Sequence, residues 1–354
     1  MMGNIMNGIV WSRKNMLTST NYILTALAIA DGISLFMYFL YAVYFFIATE
    51  PREGYFHSEA GMYLVLIAFH QFLAFHTLAN WLTISLAIFR YMKVCRPNIA
   101  KKYCNIQRAK LTILITAIIT AFAAIPFYFF YEVYDLSSEN NPMYAGFWLR
   151  KTNFAENHKD YQLTLLWLYG VIFKVLPSMG MIVLSVLMIL KLREAKRRHD
   201  DLQSGTSKMT SGYTRTTVML LIIVLIYVIT ELPIGITSFF SGLEATESHF
   251  FYFLLYSYVG DLIDLLACAN GTINFFVYYT ISRQFRTTFR KVFFSRFFRK
   301  YATAGQSEIV HSDTTDHNEL SSTVTHKISL KSVLRKKLSA KPTRSNISDA
   351  SAVS

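Results

Sequence analysis

The sequence predicts an all-α membrane protein: a seven-transmembrane helix bundle whose helix 1 is truncated, followed by an amphipathic helix 8. Three observations predict it. Of the 354 residues, 53% are hydrophobic and only 16% are charged, whereas a soluble domain carries about 25% charged residues. Apolar runs of the roughly 20 residues that cross a bilayer recur along the chain. The lysines and arginines behind the net charge of +13 fall between alternate runs and after the last one, which is how cytosolic loops are marked. Positive charge so placed argues against a nucleic-acid partner. Cys95, Cys104 and Cys268 have no metal or redox spacing. No structural disulfide, metal or cofactor is expected, and nothing suggests an enzyme.

The elements follow in order. Met1 to Trp11 is apolar, but at about 1.5 Å per residue it covers roughly half a bilayer. It is read as a partial helix 1, with neither a basic leader nor a cleavage site ahead of it. Asn21 to Ile47 is the second span and contains Asp31, and Glu50, Glu53 and Glu59 follow in an acidic loop. Gly61 to Val94 is the third span and ends on Arg90, Tyr91 and Lys93 before the basic loop to Lys110. Leu111 to Tyr131 is the fourth, broken near its end by Pro126, and Glu132 to Tyr161 is a polar loop. Gln162 to Leu192 is the fifth, with Lys174 and Pro177 inside it, and a basic loop reaches Arg215. Thr216 to Phe240 is the sixth, with Glu231 and Pro233, and His249 to Ile281 is the seventh, with Asp261, Asp264, Asn270 and Asn274. The alternation of basic loops puts the C-terminus in the cytosol. Residues 283–300 place Phe285, Phe289, Val292, Phe293 and Phe297 on one helical face with arginines on the other, which predicts a helix lying on the inner leaflet. Residues 1–300 form the transmembrane domain. Residues 301–354 are Ser- and Thr-rich, too polar to bury a core, and read as a disordered cytoplasmic tail.

Ionisable residues inside a span are costly and mark functional positions. Lys174 and Glu231 each lie mid-span near a proline, on the neighbouring fifth and sixth helices. A lone buried charge is costly enough that the two are expected to pair. Asp31 is expected in a polar core with Asn270 and Asn274. Asp261 and Asp264 lie three apart and share a helix face. Facing the bundle cavity, they suit a cationic ligand, with His70, Phe72 and His76 at a matching depth on the third span. A lone histidine is more often a satisfied core residue than a ligand contact.

Several stretches carry a resemblance. Asn80-Trp-Leu-Thr-Ile-Ser-Leu-Ala-Ile-Phe-Arg-Tyr-Met-Lys-Val94 resembles the inner end of the third helix of rhodopsin-like G-protein-coupled receptors. Thr20-Asn-Tyr-Ile-Leu-Thr-Ala-Leu-Ala-Ile-Ala-Asp31 resembles their second helix. Ile229-Thr-Glu-Leu-Pro-Ile-Gly-Ile236, Gly260-Asp-Leu-Ile-Asp-Leu-Leu-Ala267, Asn274-Phe-Phe-Val-Tyr278 and Ser282-Arg-Gln-Phe-Arg-Thr-Thr-Phe289 resemble invertebrate myosuppressin and FMRFamide-related peptide receptors. The nematode class-w serpentine receptors look similar. The likeness runs from about Gly3 to Phe289. Phe89, Glu231 and Phe275 depart from the wider superfamily, which usually has an acid, a tryptophan and a proline there.

The resemblance implies a multi-pass plasma-membrane receptor for a short amidated neuropeptide ending in Arg-Phe-amide. Ligand contacts would be Phe72, His76, Glu231, Asp261 and Asp264, with Phe72 and Tyr227 as an aromatic floor. Signalling would proceed by outward movement of helix 6, with Asp31, Arg90, Tyr91, Lys174, Pro233, Asn270, Asn274 and Tyr278 in activation and coupling. Partners would be the heterotrimeric G protein, a receptor kinase and arrestin at the tail, and the lipid bilayer. A chemosensory receptor for a small molecule is the alternative. An ion-coupled transporter using Asp31, Lys174 and Glu231 is disfavoured, because no internal repeat is visible.

Overall fold

The computed structural model describes residues 1–48, 57–136, 146–201, 222–233, 235–236 and 250–294. The chain divides into a unit Met1–Val292 and a unit Phe293–Ser354. Of the second, Phe293 and Phe294 alone fall among the described residues, so the expected tail and the end of the amphipathic segment lie outside them.

The first unit is built of helices with one small sheet. Helix α1 spans Met2–Trp11 and α2 spans Ser19–Val43, the latter continued by a π turn over Tyr44–Ala48. Helix α3 runs Glu59–Cys95, α4 Pro97–Tyr103 and α5 Ile106–Ala124, with a 3₁₀ turn Ile125–Phe129. Strands β1 (Tyr131–Asp135) and β2 (Phe147–Lys151) follow, then α6 (Asn153–Asn157) and α7 (Lys159–Trp167). A π stretch Leu168–Val175 leads into α8, Leu176–Asp201. Helix α9 is Ile222–Pro233, α10 is Phe250–Ile281 and α11 is Arg283–Phe293.

The boundaries follow local chemistry. Thr18, Ser58 and Asn105 cap α2, α3 and α5, each accepting from the amide three residues on, which satisfies donors the helix cannot. Pro97 disfavours a helical Arg96 and suits the first position of α4. Pro126, which has no amide hydrogen to donate back into α5, lies at the start of the 3₁₀ turn that follows it.

Among the described residues, four segments are long and apolar enough to cross a membrane: Ser19–Val43, Glu59–Cys95, Ile106–Phe129 and Lys159–Lys191. The outer faces match this reading. On α5, Leu114, Ile115, Ile118, Ile119 and Phe122 are all exposed, and Phe122 reaches 68%. Water would not tolerate such a stripe, and hydrocarbon does. Between α3, α8 and α9 the packing closes around Ile84, Ala87, Met181, Val224 and Tyr227.

Helix α1 is joined to the far end of the sequence. Asn4 Nδ2 donates to Gly271 O at 2.8 Å, and Asn15 Nδ2 lies 3.2 Å from Thr288 Oγ1. Trp11 meets Tyr278 edge-on at 5.3 Å and Phe285 at 5.1 Å. Phe285 and Phe289 of α11 are buried and touch Phe275 of α10. The apolar face expected to lie on the leaflet is therefore, at these two positions, turned onto the bundle.

The polar loop expected over Glu132 to Tyr161 contains more order than its composition suggested. Strands β1 and β2 pair antiparallel, with Glu132 opposite Arg150 and 3.1 Å between their charged groups. This hairpin is fastened next to α3 by Phe147 N donating to His57 O at 3.0 Å, and Trp148 lies 4.9 Å from the His57 ring. Burial lowers the His57 pKa from the ordinary 6.5. A histidine lowered by folding adds stability that is full above that ordinary value and lost as pH falls below it. Acidification below pH 6.5 is expected to loosen the hairpin, seen as a lower protection factor for the Phe147 amide once the slower intrinsic exchange at acid pH is divided out. The same acid sensitivity in a His57→Leu variant would exclude His57 as its source.

Candidate functional site

Glu231, on α9, is fully buried, and three donors and the His76 ring, from three other elements, converge on its carboxylate. Lys174 Nζ donates to Oε2 at 2.6 Å and Asn80 Nδ2 to the same oxygen at 3.4 Å. His76 Nε2 lies 3.0 Å from Oε1, and Asn270 Nδ2 donates to Oε1 at 3.3 Å. The ion pair expected from the sequence is therefore present. Its surroundings are richer than expected, because α3 contributes His76 and Asn80 and α10 contributes Asn270. His76 and Asn80 stand four apart, on one face of α3, as that spacing requires.

The local backbone makes the meeting possible. Lys174 belongs to the π stretch, a geometry that appears as a local bulge within helices, often at functional sites. Gly235, one turn beyond Glu231, sits where an added Cβ would lie 3.1 Å from Lys174 Cβ and 3.3 Å from the Val175 amide nitrogen. A side chain there would push the π stretch away from α9. Gly235→Val is expected to cost about 1–3 kcal/mol by overpacking and to lower the melting temperature of the purified protein. A melting temperature equal to that of the parent would show that the close approach is unimportant.

A second polar site lies on α2 and α10. Asn274 Nδ2 donates to Asp31 Oδ2 at 3.0 Å, and both residues are buried. Asn270, expected beside Asp31, instead serves Glu231, one helical turn away from Asn274. Tyr278, another turn along α10, is 1% exposed and packs against Trp11 and Phe285.

Other positions separate. Arg90 and Tyr91 are half-buried at one end of α3. There Tyr91, with Cys95, Arg96, Leu187, Leu190, Lys191 and Glu194, lines a cleft between α3 and α8. Phe72 stacks on His76 at 5.4 Å. Pro233 is exposed at the end of the α9 segment. Asp261 and Asp264 lie on α10, with side chains outside the described residues. One expectation is corrected. Tyr227, taken as part of a ligand floor, is 1% exposed and belongs to the core between α3, α8 and α9. His70 is committed to structure: its ring nitrogens lie 2.7 and 2.8 Å from the carbonyl oxygens of Leu66 and Phe127, and Tyr128 stacks on it at 4.5 Å.

The arrangement can hold a charge between helices and exchange partners around it. Among the described residues it offers no nucleophile with an adjacent base.

The chain is 26% identical over 337 residues to the G-protein coupled receptor dmsr-1 of Caenorhabditis elegans, covering 82% of this chain and 65% of that protein. It is 25% identical to the sex peptide receptor of Drosophila melanogaster over 88% of this chain and 73% of that protein. It is 23% identical to the Drosophila FMRFamide receptor over 93% of this chain and 57% of that protein. The chain thus spans between 57% and 73% of these relatives' lengths. The family model described as serpentine type 7TM GPCR chemoreceptor Srw matches residues 1–296. The chain belongs to this Srw family of G-protein-coupled receptors, multi-pass plasma-membrane proteins that are receptors and not enzymes.

Proposed function

We propose that the chain is a receptor for a short amidated peptide ending in Arg-Phe-amide, and that it signals by releasing α9 from the Glu231 network. The observation that carries the reading is the convergence of Lys174, His76, Asn80 and Asn270 on one buried carboxylate. A ligand that shifts any one of α3, the π stretch or α10 changes the partners of α9. Outward movement of α9 then opens the Arg90 end of the bundle to a heterotrimeric G protein. Peptide ligands are supported by relatives whose names specify the sex peptide and FMRFamide. Asp261 and Asp264 are the acids proposed for the ligand's arginine, since Glu231 is already engaged. The Arg90 end and the C-terminal tail face the cytosol in this reading, and the tail is the site for a receptor kinase and arrestin.

The test is expression of the chain with a G-protein activation reporter and challenge with a panel of Arg-Phe-amide peptides that includes Phe-Met-Arg-Phe-amide. Activation at submicromolar peptide is the expected result. Silence with surface expression confirmed would overturn it. A second reading, a chemosensory receptor for a small molecule, is favoured by the chemoreceptor description of the matching family. A response to small odorants, with none to peptides, would establish it instead.

A further inference from the structure

Lys93 lies in the last turn of α3, three residues beyond Arg90, and its ammonium crosses to the first turn of α2. Nζ donates to Ser19 Oγ at 2.8 Å and to Thr20 Oγ1 at 2.7 Å. Both partners are buried, Ser19 at 4% and Thr20 at 1% exposure, so the contact is made between helices and not on the surface. Among the described residues Lys93 forms no ion pair. Its charge is answered by two neutral hydroxyls.

Opposed forces act on this contact. Hydrogen bonds from a charged donor are short and stronger than neutral ones, and both of these are short. The start of a helix, however, carries partial positive charge, and α2 begins at Ser19. Arg90, three residues before Lys93 and so on the same side of α3, adds a like charge. Hydrogen bonds fail within a fraction of an ångström and repulsion does not. The contact is therefore firm in one geometry and favours separation once the helices shift. Little else of this kind restrains the inner end of α3. Phe89, directly before Arg90, is buried and brings no acid, and its carbonyl accepts a weak bond from Cys104 Sγ at 3.8 Å. In the same structure α9 is still held by the Glu231 network.

We propose that Lys93, Ser19 and Thr20 form a releasable clasp that fixes the Arg90 end of α3 against α2 while α9 is held. Lys93 is then a positioning residue: it acts on signalling through the placement of Arg90. The proposal rests on the reading above of that end as the face met by the G protein. Loss of the clasp raises signalling in the absence of ligand.

The experiment is a mutant cycle read as ligand-free G-protein activation per receptor at the cell surface. The variants are Lys93→Met, the pair Ser19→Ala with Thr20→Val, and all three together. Lys93→Met and the hydroxyl pair are each expected to raise basal activation about fivefold, and the triple variant no further, because both remove one contact. Effects that multiply in the triple variant would overturn the clasp, and so would basal activation equal to that of the parent. Lys93→Arg, which keeps the charge and offers two donors to the two hydroxyls, is expected to return the parent's level. An arginine variant as active as Lys93→Met would overturn the positioning role. Should Lys93→Met fail to reach the surface, the hydroxyl pair, which leaves the cation in place, carries the same comparison. A second measurement needs neither ligand nor G protein. Cys95, two residues beyond Lys93, lines the cleft between α3 and α8, and its alkylation in purified receptor is followed by mass spectrometry. Lys93→Met and the hydroxyl pair are expected to speed it several-fold, and Lys93→Arg is expected to leave it at the parent's rate. Faster alkylation in a receptor that activates no G protein would uphold the clasp and overturn the coupling reading. Equal rates in all variants would overturn the clasp itself.

Discussion

Replacing Lys174 by methionine is expected to remove most of the folded receptor from the cell surface. The substitution keeps the length of the side chain and removes the cation 2.6 Å from Glu231 Oε2. Glu231 is then a buried carboxylate whose strongest partner is gone, with His76, Asn80 and Asn270 left around it. Breaking a buried ion pair in this way costs about 3–5 kcal/mol, against a typical total stability of about 5–15 kcal/mol. Glu231→Gln is expected to cost less, because its amide oxygen still accepts from Lys174 and Asn80. Surface fraction by flow cytometry and thermal denaturation of solubilised protein measure both. Parent-like behaviour of Lys174→Met would remove the ion pair from the list of structural determinants.

Exchanging the two charges, Lys174→Glu with Glu231→Lys, tests the pairing itself. Each single reversal places like charges in contact and is expected to be worse than Lys174→Met. The double variant restores opposite charges but now surrounds a lysine with groups that had been donating to a carboxylate. Asn80 and Asn270 can rotate to present their oxygens, and a neutral His76 can present its unprotonated nitrogen. Recovery is therefore expected above either single variant and below the parent. A double variant no better than the singles would show that the pair does not act as a pair.

What the sequence made legible divides along one physical line. Lys174 and Glu231 were readable because a charge in hydrocarbon must find its opposite, and the chain offers few choices. Asn274 beside Asp31 followed from the same scarcity. His76 was read as a ligand contact and not as a partner of Glu231, and Asn80 did not stand out, since a neutral polar side chain has many acceptable partners in a membrane bundle. The inner and outer faces of α2 were not separable by pattern either: Tyr38 meets Phe72 of α3 while Phe36 and Phe39 are exposed, and both faces are apolar. Periodicity marks a buried stripe only where the opposite face is polar. The hairpin escaped notice because its strands are five residues each and flank a longer connection. Phe285 and Phe289 were read as lipid-facing because an amphipathic pattern tells that a face is covered and not what covers it.

Trp11→Ala is expected to be the most damaging change in α1. The indole is 4% exposed and fills the angle between Tyr278 of α10 and Phe285 of α11. In a water-soluble core, such a truncation costs about 3–5 kcal/mol, part transfer and part cavity. Inside a bilayer the unpacked state still exposes the ring to hydrocarbon, so the transfer part shrinks and lost packing dominates. A cost of about 2–3 kcal/mol follows. It falls where α1, α10 and α11 meet, a corner that Asn4 and Asn15 also fasten through Gly271 and Thr288. Tyr278 then loses the ring that holds it in place, so the variant is expected to combine a lower melting temperature with altered basal signalling. Phe36→Ala, which removes a comparable ring from the lipid face of α2, provides the contrast and is expected to leave both unchanged. If the two variants melt together, α1 contributes nothing specific to the bundle, and the position of Tyr278 is set by α10 and α11 alone.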